Sequence, residues 1–210
     1  MSANQASVRL NALLAEAGLD RLDDESAGRF EVYLSLFIRW NERISLSSVR
    51  DKEDVISRHL VESIAVASAL PKGIATLLDF GSGAGLPGIP IALCRPEIDV
   101  TLAESQGKKA AFLQEAVRVL GIPAKVHAQR AEVLQEVFDC VVLRAVDKMP
   151  KAVGVAVRLI APQGWLALMT TDAGLSHLRA VAGAPFSWAD PVHIPGSERR
   201  LLALGQKISS

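Results

Sequence analysis

The sequence predicts an α/β protein. Its expected core is a seven-stranded, mostly parallel sheet with helices on both faces, ending in an antiparallel C-terminal hairpin and preceded by a helical N-terminal extension. Three observations predict this. Apolar residues recur at helical spacing before Pro71, short apolar runs alternate with helix-like stretches from Thr76 onward, and two strand-like runs flank the turn Pro195-Gly196-Ser197. Alternation of the second kind argues for βαβ units and a parallel sheet. A proline–glycine turn between apolar runs argues for a hairpin at the sheet edge.

In the extension, Val8, Leu10, Leu13, Leu14 and Ala17 form a first apolar stripe, and Gly18 is a natural C-terminal stop. Phe30, Tyr33, Leu34, Phe37, Ile38 and Asn41 repeat the spacing from Ser26 to about Ile44. Val55, Ile56, Leu60, Ile64 and Ala67 form the stripe of a third helix, with Asp51, Glu53 and Asp54 in its first turn, where carboxylates complement the helix dipole. Pro71-Lys72-Gly73 reads as a linker, dividing a helical extension, 1–72, from a second domain, 73–210. The extension is expected to cover one edge of the sheet. Strands are expected at Thr76–Phe80, Val100–Glu104, Ala124–His127, Asp139–Arg144, Trp165–Met169, Phe186–Ile194 and Leu201–Lys207. Helices are expected near Ile89–Cys94, Lys108–Leu120 and Lys151–Ile160, with one more short helix after Asp172.

Composition excludes several classes. Half of the 210 residues are hydrophobic, 22% are charged, and 23 Lys+Arg balance 23 Asp+Glu. Such a chain is neither intrinsically disordered nor a polycation that wraps nucleic acid by bulk charge, although a balanced total leaves local basic patches open. Cys94 and Cys140 lie in apolar runs and are expected as reduced, buried thiols of a cytoplasmic protein. The N-terminus lacks the pattern of a signal peptide, and no segment approaches ~18 uninterrupted apolar residues, so no membrane insertion is expected.

The most informative segment runs from Leu77 to Pro90, LLDFGSGAGLPGIP. A strand enters a loop with glycine at 81, 83 and 85, and a helix follows. Glycine lets such a loop turn sharply and approach a ligand without a Cβ in the way, and the helix points free N–H groups back at it. Two ligands compete. Gly83, Gly85 and Gly88 satisfy the dinucleotide pattern G-x-G-x-x-G. Gly81-x-Gly83-x-Gly85 after the acidic Asp79 is the pattern of S-adenosylmethionine (SAM) methyltransferases, which have a Rossmann-like sheet. Pro87 and Pro90 favour SAM: prolines in the first helical turn remove N–H donors that a pyrophosphate wants. The terminal hairpin also suits the methyltransferase sheet better.

Other candidates lie at strand ends. Glu104 closes the second strand, where a carboxylate can accept hydrogen bonds from both ribose hydroxyls. Ala131 and Glu132 follow the third strand, where they could frame an adenine edge. Arg144 ends the fourth strand and faces the ligand crevice; an arginine after three apolar residues demands a partner, and a cofactor carboxylate or an RNA phosphate would serve. Arg50, Lys52, Arg58, His59, Lys108 and Lys109 are candidate RNA contacts, whereas Arg199 and Arg200 read as a solvated face of the hairpin. No His/Cys cluster has metal-ligand spacing. No Asn/Asp-Pro-Pro-aromatic segment follows strand four, and neither cysteine lies in a Pro-Cys loop, which disfavours exocyclic-amine and cytosine-C5 methylation. No catalytic acid or base stands out.

On LDFGSGAGLPGIPIALCRP, RHLVESIAVA (Arg58–Ala67), Arg130-Ala131-Glu132, LRAV (Leu143–Val146) and FIRWNERISLSSVRDKEDVISRHL, the chain resembles the bacterial 16S ribosomal RNA guanine-N7 methyltransferase G family (RsmG/GidB). The resemblance covers most of the chain. It implies SAM as cofactor, contacted by Gly81, Leu86, Ala131, Glu132 and Arg144, and methyl transfer to guanine N7 at the family's G527 site. One departure stands out: Leu168-Met169-Thr170-Thr171 replaces the Ala-Leu-Lys-Gly that the family often carries, supplying hydroxyls without a charge. The implied partner is 16S rRNA in the small ribosomal subunit or an assembly intermediate, met by a monomer. The alternatives are a SAM methyltransferase of a small molecule or protein, an NAD-dependent oxidoreductase using the second glycine pattern, and a ribosome-binding module without turnover.

Overall fold

A computed structural model describes residues 3–49, 51–197 and 199–208. Helix α1 (Ala3–Glu16) stops just before Gly18, whose φ is 71°. Helix α2 (Asp24–Asn41) starts at an Asp23 cap, where a carboxylate oxygen accepts the Ser26 N–H at 2.7 Å. Asp51 caps the next helix in the same way, accepting from Glu53 and Asp54 N–H at 2.9 and 3.2 Å. That helix is continuous but not uniform. A short α3 (Lys52–Asp54) widens into a π-helical turn, Val55–Leu60, and then tightens into α4 (Val61–Ala69). Periodicity does not show such a widening; π-turns often mark functional sites. The predicted stripe Val55, Ile56, Leu60, Ile64 and Ala67 is buried throughout, whereas Val8 of the first stripe is exposed.

The sheet strands are β1 (Thr76–Phe80), β2 (Asp99–Ala103), β3 (Ala124–His127), β4 (Phe138–Arg144), β5 (Ile160–Thr171), β6 (Phe186–Trp188), β7 (Val192–His193) and β8 (Arg200–Lys207). Their order is β3-β2-β1-β4-β5-β8-β6, with β7 also pairing β8. The first five are parallel, and β8 runs antiparallel to β5, β6 and β7. The predicted run Phe186–Ile194 is broken into two short strands around Asp190-Pro191, because proline cannot donate to the ladder. The sheet therefore has eight strands among the described residues rather than seven. The remaining helices are α5 (Gly88–Cys94), α6 (Gly107–Leu120), α7 (Met149–Ala156) and α8 (Asp172–Ala182).

Both faces of the sheet are covered, as the apolar β4 run requires. Cys140 and Val142 belong to one core with α1, α2, α4, α5 and α6, while Val141 and Leu143 belong to the other with α7 and α8. The N-terminal helices thus cover one face and share its core, not one edge. Apolar residues on two consecutive helices need more buried area than a sheet edge offers. Cys140 is buried but Cys94 only partly so, and both thiols are free. Burial pushes each up to about 12, so they stay protonated. No helix among the described residues is long and apolar enough to cross a membrane.

Candidate active site

The strand order reverses between β1 and β4, and a crevice opens beyond the carboxyl ends of the strands at such a point. It is a cleft of about 1050 Å³. The glycine loop forms its floor. Gly81 (φ 74°) and Gly83 (φ 56°) line it, and a Cβ on Gly81 would press on Val146 at 3.3 Å. Gly85 (φ 81°) turns the other way, where a Cβ would come within 2.5 Å of Ile89 Cδ1, so this glycine serves packing rather than the cleft. Gly88 is also a packing residue: a Cβ there would meet Leu102 Cδ2 at 2.4 Å and Asp79 Oδ2 at 2.5 Å.

Asp79 explains how the loop is held. Its carboxylate is buried beneath α5 and accepts the Gly88 N–H at 3.1 Å. Burial pushes its pKa up to about 7. Ile89 N–H goes to the Gly85 carbonyl at 2.7 Å, and Pro90 has no N–H. The start of α5 is thus closed by a carboxylate and offers a pyrophosphate little, which removes the physical basis of the dinucleotide reading. From the other side, Tyr33 of α2 donates its hydroxyl to the Ala84 carbonyl at 2.6 Å. Burial raises the Tyr33 pKa further above its usual value, so it remains a donor. Trp40 Nε1 donates to Glu115 Oε2 at 2.9 Å, tying α2 to α6 beside it.

Glu104 reaches the cleft directly after β2. Its two oxygens accept the Gly83 N–H at 3.0 Å and the Gln106 N–H at 2.7 Å. Each carboxylate oxygen keeps a further lone pair for a ribose diol. Leu86, Ala131 and Glu132 line the same cavity, the last two in a short 3₁₀ turn, Ala131–Val133. The loop after β4 forms the opposite wall, with Ala145 (φ 49°) and Lys148 (φ 53°) both left-handed. Non-glycine residues there cost about 1–3 kcal/mol each and mark backbone held for a purpose.

Arg144 closes the back of the cleft through a network that sequence reasoning missed. Its Nη2 donates to Glu62 Oε2 and to His59 Nδ1, both at 2.8 Å. Arg200 Nη1 donates to the same carboxylate at 2.8 and 2.6 Å. Glu62 is only 2% exposed. The available signal was a lone acid in the apolar run Val61–Ala69, since a buried carboxylate needs cations. His59, a candidate RNA contact on the sequence, lines the cleft, but both its ring nitrogens are committed. An arginine can only donate, so Nδ1 accepts, and Nε2 carries the proton and donates to Ser47 Oγ at 3.2 Å. Burial first, and Arg144, Arg200 and Arg58 next, push its pKa down to about 4. The ring is neutral and positions Arg144.

Of the other predicted RNA contacts, Arg58 and Lys109 line the cleft, whereas Lys52 and Lys108 do not. Lys108 and Lys109 are neighbours in one helix, so they point about 100° apart and only one can face inward. Arg50 lies outside the described residues. Arg130, Lys148, Lys151 and Arg200 also line the cleft. Thr170 and Thr171 at the end of β5 line it as well.

The residues present fit SAM. The volume slightly exceeds the ~300–1000 Å³ of an ordinary small-molecule pocket, the space beside Gly83 is open, and a carboxylate stands at the end of β2. Fold and cleft together define a SAM-dependent methyltransferase. Solved structures share the architecture. A methyltransferase from Pyrococcus furiosus superposes with a TM-score of 0.61 at 14% identity, covering 83% of this chain and 98% of that one. The N-methyltransferase NodS from Bradyrhizobium japonicum WM9, in complex with S-adenosyl-L-homocysteine, gives 0.54 at 15% identity, covering 82% and 99%.

Sequence comparison is more specific. The family model of rRNA small subunit methyltransferase G matches residues 27–187. Proteins named ribosomal RNA small subunit methyltransferase G from Xanthomonas campestris pv. campestris (strain B100) and Stenotrophomonas maltophilia (strain K279a) are each 39% identical. The first covers 84% of both chains, the second 82% of this chain and 83% of its own. This chain belongs to that family.

Proposed function

We propose that this protein methylates N7 of a guanine in 16S rRNA, at the G527 site that the family resemblance implies. The observation that carries the reading is one cleft in which a SAM-type glycine loop faces a rim of cations, while the imidazole lining it, His59, has both ring nitrogens already hydrogen-bonded. Guanine N7 is a lone pair that loses no proton on methylation, so no general base is needed. SAM, when bound, supplies an electrophilic methyl on a sulfonium.

The chain's own residues bind and orient. Glu104 accepts the ribose hydroxyls; Gly81, Gly83 and Leu86 form the floor; Ala131 and Glu132 frame the adenine; Arg144, held by Glu62 and His59, meets the cofactor carboxylate. Ala145 to Lys148 form the wall against which the target base rests. Asp147 and the adjacent carbonyls there face the positive charge that develops on guanine. Alignment of this kind supplies roughly 7–11 kcal/mol in favourable cases. Arg58 and Lys109 hold the strand by its phosphates.

The extension, 1–72, contributes Leu46 to Val49, Arg58 and His59 to this cleft, and the sheet domain, 73–210, contributes the rest of its lining. A neutral chain binds free RNA weakly, which suits a shaped ribosomal target, the small subunit or an assembly intermediate, met by a cytoplasmic monomer. The test is mass-spectrometric detection of 7-methylguanosine in purified 30S subunits incubated with SAM, with and without the protein. Modification at one guanine, stronger on 30S than on short naked RNA, is expected. Absence of 7-methylguanosine refutes the reading.

A further inference from the structure

Beyond a wall formed by Arg58, Thr171 and Arg200, the cleft continues into a second basin of about 470 Å³, completed by Glu62, Ser197 and Arg199. Its two sides come from opposite ends of the chain. Arg58 stands on the π-helical turn, and Arg199 and Arg200 lead into β8. The hairpin turn lies against that helix: a Cβ on Gly196 (φ 77°) would sit 3.8 Å from the Ser57 carbonyl oxygen. Arg200 stands opposite Thr171 in the β5–β8 register, which fixes it at the mouth shared by the two basins.

Among the described residues the charge is unbalanced: Glu62 is the one carboxylate lining the basin, against three arginines. Both its oxygens are already taken, by Arg200 and by Arg144 from the cleft side. Arg58 and Arg199 are exposed and form no ion pair with a described residue. Glu62 engages Arg200 through Nη1 alone; Nε and Nη2 take no acceptor among the described residues. Among the described residues no aromatic or large apolar side chain lines the basin, so it offers little to an apolar ligand. Planar forks with free donors around an open, polar space suit phosphate oxygens.

We propose that this basin is a phosphodiester-binding subsite for the strand that carries the target guanine, with buried Glu62 positioning Arg200 in the wall between subsite and cleft. The proposal rests on the RNA reading above. It assigns a binding role to Arg199 and Arg200, which the sequence pattern leaves as a solvated hairpin face.

The test is the salt dependence of binding by the full-length protein, measured for a naked 16S rRNA fragment and for 30S particles. The variants are Arg58→Gln, Arg199→Gln and, as a control at the opposite end of β1, Lys72→Gln. Each arginine variant is expected to flatten the slope of log K against log[salt] by about 0.7–0.9 and to weaken binding about fivefold at physiological salt, on both substrates. In Arg199→Gln, which lies outside the SAM cleft, SAM affinity and the thermal midpoint should not move, and Lys72→Gln should match wild type. Slopes parallel to wild type overturn the subsite. Weakening on 30S but not on the naked fragment also overturns it, because the arginines would then meet a ribosomal protein. Missing 7-methylguanosine with the wild-type protein defeats the methylation reading without altering these slopes, so the two failures are distinguishable.

Discussion

Tyr33→Phe isolates one bond between the helical extension and the glycine loop. The ring is fully buried and packs against Phe37 and Phe112, with centroids 6.4 Å away in each case, contacts that phenylalanine keeps. The loss is confined to the hydroxyl that donates to the Ala84 carbonyl at 2.6 Å. That carbonyl has no other described partner, and Ala84 is 6% exposed, so water does not readily replace the donor. A buried acceptor left unpaired costs about 1–3 kcal/mol. For a chain of this size each kcal/mol lowers the melting temperature by about 2–4 °C, which gives a fall of roughly 2–12 °C. The loop between β1 and α5 also loses its tether. Whatever part of the loss SAM must restore on binding weakens its affinity, by up to about tenfold for 1.4 kcal/mol. Scanning calorimetry and a SAM titration on the same protein read both effects. A melting temperature and a dissociation constant indistinguishable from wild type would refute the claim that α2 holds the loop.

Two further outcomes follow from the buried charges. Glu62→Ala leaves Arg144, 11% exposed in its side chain, without a carboxylate; the expected cost is about 3–5 kcal/mol, read as a lower denaturant midpoint, with Glu62→Gln milder because its amide oxygen still accepts. An unchanged midpoint in the alanine variant would contradict the network. His59 and Asp79 should pull the pH dependence of stability in opposite directions. The folded His59 pKa is about 4 against 6.5, so the unfolded chain binds more protons in that window; its contribution is present above pH 6.5 and lost as pH falls toward 4. The folded Asp79 pKa is about 7 against 3.8, so the folded chain binds more protons there; its contribution is present below pH 3.8 and lost as pH rises to 7. Urea midpoints from pH 4.5 to 7.5 should show wild type losing ground to His59→Gln on acidification and to Asp79→Asn on raising the pH. Curves parallel to wild type would contradict both assignments.

The sequence alone determined the α/β alternation, the glycine loop after β1, the carboxylate after β2 and the arginine after β4. These are local patterns: period, turn chemistry and strand-end position are written in neighbouring residues. It also carried a resemblance specific enough to name a family. What it left undecided depends on distant segments meeting. Gly85 and Gly88 look like ligand glycines in the motif, yet both face inward, because side chains from β2, α5 and α6 occupy the space. His59 reads as a free cation until Arg144, 85 residues away in sequence, fixes it as a neutral acceptor. Glu62 acquires its role when β4 and β8 bring two guanidinium groups to it, and Arg199 when the hairpin turn comes to rest on the π-helical turn. A charge's partner, unlike a helix's period, is set by packing between elements, and only the tertiary structure decides it.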